Sequence, residues 1–235
     1  MKNLLFVDIE TVSQHQNYSE LSERMKTHWQ RKSSFMNHDN TVSGDDLYNE
    51  KAAIFAEFGK IVVIGLGFFA KDESGSKVFR VKSLQNNNEK ELLEEFCDIL
   101  KHFSEEDLQL CAHNGKEFDF PYLCRRMIIN DIKLPYVLNT SGKKPWEVNH
   151  LDTMQMWKFG DYKHFTSLDL LASILGIESS KTDIDGSQVG NVYYQEGDLS
   201  KIAEYCKRDV AVTAQVYLKL NSIEGLKSEQ IISVD

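Results

Sequence analysis

The chain is short of cysteine, of proline and of positive charge. Its four cysteines, Cys97, Cys111, Cys124 and Cys206, stand at no CxxC or His–Cys spacing. That excludes a zinc-ribbon type of site and a disulfide framework, and it leaves reduced core thiols. Its three prolines form no Pro/Ser-rich linker, and no internal repeat is visible, so one domain over residues 1–222 is the simplest organisation. Lysine and arginine number 27 against 36 aspartates and glutamates, a formal net charge of −9. A protein that coats nucleic acid loosely shows a basic footprint instead. Long apolar runs are missing too: Ile61 to Ala70 falls well short of the ~20 residues that span a bilayer. The N-terminus meets Asp8 too early for a secretory signal. A soluble, cytoplasmic protein that does not engage membranes is the expectation. What is present, 41% hydrophobic and 11% aromatic residues, suffices for a packed core.

The patterning alternates strands and helices. Leu4 to Ile9 reads as a buried strand with a charged C-terminal end. Residues 13–57 are polar and helical in pattern, with Leu21, Met25 and Trp29 on one face, Arg24, His28 and Arg31 beside them, and a second helix over Asp45 to Glu57. Lys60 to Ala70 and Lys77 to Ser83 are strands too close in sequence for a crossover helix, hence a hairpin. Glu89 to Phe103 is an amphipathic helix, Leu108 to Ala112 a strand, and Asp119 to Asn130 a helix with Pro121 in its first turn. Leu134 to His150 is irregular, with a short strand ending near Asp152. Thr166 and Asp169 suggest a capping box for a helix over Ser167 to Leu175. Ser179 to Gln195 is loop-like. Asp198 caps a long helix, Leu199 to Leu220, and residues 223–235 form a weakly patterned tail. The order predicts a mixed α/β sheet with helices on both faces.

Three acidic signals sit on these elements. In Asp8-Ile9-Glu10, alternate strand residues point the same way, and two adjacent carboxylates repel unless something pairs them. Hard oxygen ligands of this kind suit Mg²⁺ or Mn²⁺; a solvated pair at a strand end is the plainer alternative. In Asn114-Gly-Lys-Glu-Phe118-Asp119, Asp119 falls at a strand-to-helix junction, where α/β sheets place sites, although helix capping is the common job for an aspartate there. Asn114 is equally a turn residue beside Gly115. In Tyr205-Cys-Lys-Arg-Asp209, the phenol and the carboxylate share a helix face at i and i+4.

Taken in order, these three motifs resemble the DEDD superfamily of 3′–5′ exonucleases, in its tyrosine subgroup. The likeness is greatest to the proofreading domain of B-family DNA polymerases and to free-standing bacterial proteins predicted to be related exonucleases. It runs from Asp8 to Asp209. The resemblance implies a ribonuclease H-like fold: a mixed sheet that begins as an antiparallel meander, continues with parallel strands and is flanked by helices. It carries over Asp8, Glu10, Asp119 and Asp209 as ligands of two divalent ions, Mg²⁺ or Mn²⁺, and Tyr205 as the tyrosine of the third motif; the histidine subgroup needs a His where Glu204 stands. By the same likeness two ions about 3.5–4 Å apart share Asp8, with Glu10 and Asp209 on the first and Asp119 supporting the second. Tyr205, with a reference pKa near 10, would orient water and not act as a base.

Thr11, Asn114 and Phe118 match substrate-contacting positions, and Lys181 is a candidate phosphate contact. Residues 13–57 are a long helical insertion compared with minimal members. No polymerase domain fits in this length, so any proofreading would act in trans. The implied substrate is single-stranded DNA. The competing readings are an exoribonuclease on short RNA, which the motifs do not separate because the 2′-hydroxyl is read by local pocket shape, and a catalytically inactive nucleic-acid-binding module. Residues 143–165, which interleave lysines with Trp146, Trp157, Phe159, Tyr162 and Phe165, fit a strand-binding rim or plain core. Asp152 and His113 read as structural.

Overall fold

The computed structural model describes residues 3–36, 42–104, 107–161, 165–179 and 184–234. Its strands are β1 (Leu4–Ser13), β2 (Gly59–Lys71), β3 (Lys77–Gln85), β4 (Gln109–Ala112), β5 (Leu151–Asp152) and β6 (Ile231–Ser233). They form a single sheet in the order β5-β4-β1-β2-β3-β6. β1, β2 and β3 run as an antiparallel meander, whereas β4, β5 and β6 pair in parallel with their neighbours. This is the mixed sheet of the ribonuclease H-like expectation. The central strand is covered on both faces. Leu5, Val7 and Ile9 join a cluster with Leu92, Phe96, Leu123 and Met127, while Leu4 and Phe6 pack with Val210, Ala214 and Leu218. A doubly buried strand needs apolar residues at every position, so Leu4 to Val7 do not alternate.

The helices are α1 (Glu23–Ser34), α2 (Gly44–Lys51), α3 (Glu89–Leu100), α4 (Asp119–Ile129), α5 (Thr153–Lys158), α6 (Leu168–Leu175), α7 (Val189–Asn191) and α8 (Leu199–Leu220). Among the described residues none is long and apolar enough to cross a membrane. α8 starts and stops where its stripe predicts, with the Asp198 side chain accepting from the Lys201 amide. α3 ends three residues earlier than its periodicity suggests. At α6 the cap is Ser167, which accepts from the Leu170 amide, and not Thr166. The segment read as a loop before α8 contains α7 and a π-helical turn, Val192–Glu196. Ile184, Val189 and Val192 pack there against Val12 and Tyr205, a spacing that matches neither helix nor strand period. After α8, Leu226 is buried and β6 adds a sixth strand along β3.

Between β1 and β2 the insertion builds a small core of its own around Trp29, which is fully buried. Its indole meets Tyr48 and Phe58 edge-on and donates to the Gly44 carbonyl at 2.8 Å. Arg24, His28 and Arg31 face solvent. A second device ties the helices together beneath the sheet. Glu89 and Arg126, both buried, form a two-pronged ion pair, with Nε to Oε1 at 2.8 Å and Nη2 to Oε2 at 2.5 Å. Glu89 also accepts the Ile61 amide, and Arg126 donates to the Ala56 carbonyl and to Gln14.

Gly65 and Gly67 explain why α8 lies so close to the sheet. A Cβ on Gly65 would stand 2.8 Å from Cys206 Sγ and from Val210, and one on Gly67 would collide with the Phe79 ring. Both are packing glycines under the helix that carries Tyr205 and Asp209. Gly65→Ala must therefore lift α8 from β2. It is expected to cost about 1–3 kcal/mol through overpacking, read by urea unfolding, and to lower any activity that needs α8 in register with β1. Unchanged stability would contradict this packing.

Candidate active site

β1 supplies the first two carboxylates. Strand alternation puts Asp8 and Glu10 on the face of Leu4 and Phe6, toward α8. Past Glu10 the β1–β2 ladder slips: Glu10 pairs with Val63 but Thr11 with Ile61, leaving Val62 as the extra residue of a bulge in β2. Such bulges re-aim side chains beside sites. The Thr11 hydroxyl turns to the insertion and donates to the Ala53 carbonyl at 2.9 Å, which also accepts from the Tyr122 hydroxyl at 2.8 Å.

α4 supplies the third. Asp119 is the first residue of the helix but not its cap; Phe118 holds that position and makes no side-chain capping bond. Asp119 Oδ1 accepts instead from the Ile9 amide of β1 at 3.1 Å, so the junction carboxylate is fastened between Asp8 and Glu10. The preceding turn is set by Asp152, which accepts amides of Asn114 and Lys116 at 3.0 and 3.1 Å and caps α5 through Met154 and Gln155. Its role is structural. Asn114 takes the left-handed conformation at φ 65°, which asparagine tolerates, and its side-chain Oδ1 is buried without a partner. His113 bridges Thr153 Oγ1 and the Thr166 carbonyl, and burial lowers its pKa.

α8 supplies the fourth carboxylate and the phenol. The Tyr205 hydroxyl is hydrogen-bonded to Asp209, and burial followed by the charge of Asp209 raises its pKa far above the usual value. Cys206, read above only as a core thiol, donates to Asp8 Oδ2 at 3.2 Å. Ligand atoms of Asp8, Glu10 and Cys206 lie within 4.8 Å of one another. The signal that could have exposed this thiol is its place on the α8 stripe next to Tyr205.

These groups sense one another. Burial, then Asp209 and Asp119, raise the pKa of Asp8; burial, then Asp8, raise that of Glu10. Asp119 is pushed up to about 7, chiefly by burial and against the pull of the Ile9 amide. Among the described residues no lysine or arginine forms an ion pair with Asp8, Glu10 or Asp119. Two buried carboxylates, Glu10 and Asp119, and a half-buried one, Asp8, with hard oxygens and no paired lysine or arginine, form a donor set that fits divalent cations of the Mg²⁺ or Mn²⁺ kind.

Around this cluster, Phe118 is half-buried with its ring 5.4 Å from Tyr122. Lys181 lies outside the described residues, as do Tyr162, Lys163 and His164 of the suggested rim. Trp157 is partly buried against α6 and α8, whereas Phe159 and Phe165 are exposed. His150 is buried beneath Phe120 and hydrogen-bonded to the Val137 carbonyl.

Comparison with known proteins agrees with this architecture. Residues 54–232 match the family model described as predicted 3′–5′ exonuclease related to the exonuclease domain of PolB. β1, with Asp8 and Glu10, precedes the matched segment. DNA polymerase 1 of Pyrococcus abyssi is 24% identical over 194 residues, which cover 74% of this chain and 24% of the polymerase. The family B DNA polymerase from Pyrobaculum calidifontis superposes with a TM-score of 0.55 at 15% identity, over 92% of this chain and 24% of that one. The chain thus spans about a quarter of the length of these polymerases, and the superposition bears out the mixed-sheet, ribonuclease H-like fold. With the family model covering well over half of its residues, the chain belongs to the family of predicted 3′–5′ exonucleases related to the PolB exonuclease domain.

Proposed function

We propose that the chain is a metal-dependent 3′–5′ exonuclease of the tyrosine (DEDDy) type, which hydrolyses the 3′-terminal phosphodiester of single-stranded DNA and releases nucleoside 5′-monophosphates. The observation that carries this reading is the meeting of Asp8, Glu10, Asp119 and Asp209, drawn from three elements, around the Tyr205 phenol. The DNA polymerase relatives favour DNA as the polymer.

Asp8, Glu10, Asp119 and Asp209 would hold two Mg²⁺ or Mn²⁺ ions, which when bound supply a nucleophile at neutral pH and positive charge against the leaving oxygen. The protein's own residues orient and exclude. Burial and the charge of Asp209 oppose ionisation of Tyr205, which suits the phenol to orienting water and not to acting as a base. Its oxygen keeps lone pairs with which to accept a hydrogen bond from the attacking water and aim it. Thr11, Asn114 and Phe118, at the positions the family likeness assigns to substrate contact, would seat the terminal nucleotide.

The test is direct. The protein is incubated with 5′-labelled single-stranded DNA or matched RNA, in Mg²⁺, Mn²⁺ or EDTA. A descending ladder on DNA that needs the cation is expected. A faster ladder on RNA would move the substrate, and oligonucleotides left intact in every cation would sink the proposal. Tyr205→Phe is expected to slow turnover roughly tenfold to a hundredfold, with divalent-cation affinity, read by calorimetric titration, close to wild type. Loss of cation binding in that variant would assign the phenol to the ligand set instead.

A further inference from the structure

A cavity of about 340 Å³, whose wall includes residues on either side of Asp119 in the chain, plays no part in the chemistry above. One wall includes Lys116, Phe120 and Pro121 of the segment that carries Asp119; the other includes Thr140, Lys143 and Pro145. Two exposed aromatic rings flank this second wall, Trp146 directly after Pro145 and Tyr136 against Lys143. Trp146 is 78% exposed and Tyr136 59% exposed. Each carries a lysine on its face: Lys144 Nζ lies 5.3 Å from the Trp146 ring centre and Lys143 Nζ 5.6 Å from that of Tyr136. Pro145 and Pro135 directly precede the two aromatics, and both aromatics sit in 3₁₀ turns. The rings therefore ride on stiff backbone.

Charge singles out the same segment. In a chain of net charge −9, residues 132–146 hold Lys133, Lys143 and Lys144 and not one acid. Glu117 is the single carboxylate on the cavity wall. Exposed flat rings beside mobile cations are what a single strand of nucleic acid uses: bases stack and phosphates pair, without regard to sequence.

We propose that this cavity and its rim form the track for the part of a single DNA strand that lies 5′ to the scissile bond, with a base on Trp146, a second on Tyr136, and phosphates on Lys116, Lys143 and Lys144. The inference rests on the exonuclease reading for the placement of the 3′ end. It extends that reading to how the enzyme holds long strands in preference to short ones.

Binding is measured by fluorescence anisotropy of 5′-labelled oligothymidylates, a trimer and a dodecamer, with Ca²⁺ as the cation. The proteins compared are the wild type, Trp146→Ala, and the double variant Lys143→Glu with Lys144→Glu. Affinity for the dodecamer is expected to fall about tenfold in each variant, while that for the trimer changes by less than about twofold. The salt dependence of dodecamer binding should become shallower by about 0.7 in log–log slope for each lysine neutralised. Dodecamer affinity equal to wild type, or equal losses for both lengths, would overturn the track. Hydrolysis of the trimer by wild-type protein in Mn²⁺ is read in parallel. If it fails while the length-dependent binding loss persists, the track stands and the exonuclease reading falls; if it succeeds with no length dependence, the track alone falls.

Discussion

Asp8→Ala is expected to abolish hydrolysis, by about 10³-fold or more, without weakening the metal-free fold. The reason is electrostatic. Asp8, Glu10 and Asp119 have pKa values raised by burial first and then by neighbouring carboxylates, Asp209 among them in each case, so the native state binds protons more tightly than an unfolded chain whose carboxylates titrate near 4. The stability tied to these protons is fully present below about pH 4. It is lost as pH rises through the native values, for Asp119 about 7. At pH 8 the ionised cluster therefore strains the fold, and removing one member relieves it. A divalent cation opposes the same strain. It should raise the melting temperature of the wild type more at pH 8 than at pH 5.5, and do so far less in Asp8→Ala. Asp8→Asn, which keeps the shape, separates charge from packing. A variant that melts much lower at pH 8 without cation, or that gains as much from cation as the wild type, would remove Asp8 from the ligand set.

The second large effect concerns stability. Arg126→Ala leaves Glu89 as an unpaired charge at 8% exposure, stranded among Ile61, Asn130 and the α3 N-terminus. Breaking a buried pair from one side typically costs about 3–5 kcal/mol. For a chain of this size that lowers the melting temperature by roughly 10 °C. Glu89→Gln, which keeps an acceptor for the Ile61 amide, should cost less than Glu89→Ala. The check is thermal and urea unfolding of the three variants. A loss below about 1 kcal/mol in Arg126→Ala would mean that water reaches the pair.

What the amino-acid order discloses, and what it hides, follows from distance along the chain. β1 placed Asp8 and Glu10 together because strand alternation is local. α8 was legible to its end residues because a 22-residue helix repeats its stripe several times and Asp198 caps it. The fate of Asp119 was not legible: capping its own helix and reaching the Ile9 amide, 110 residues away, look alike in sequence. The same holds for Glu89 with Arg126, and for Cys206 with Asp8, where each partner alone reads as an ordinary helix residue. The π-helical turn at Val192 obeys neither common period. β6 is three residues long, too few to show any alternation.

One carbonyl, that of Ala53, receives hydroxyls from both Thr11 and Tyr122. Thr11 follows the carboxylate strand, Tyr122 stands one helical turn after Asp119, and Ala53 belongs to the appendage built on Trp29. That oxygen is thus a keystone shared by three pieces of the fold. Loosening the appendage would be felt at the acidic pocket without any residue there being altered, so changes far out on the Trp29 module can tune the pocket's geometry at a distance.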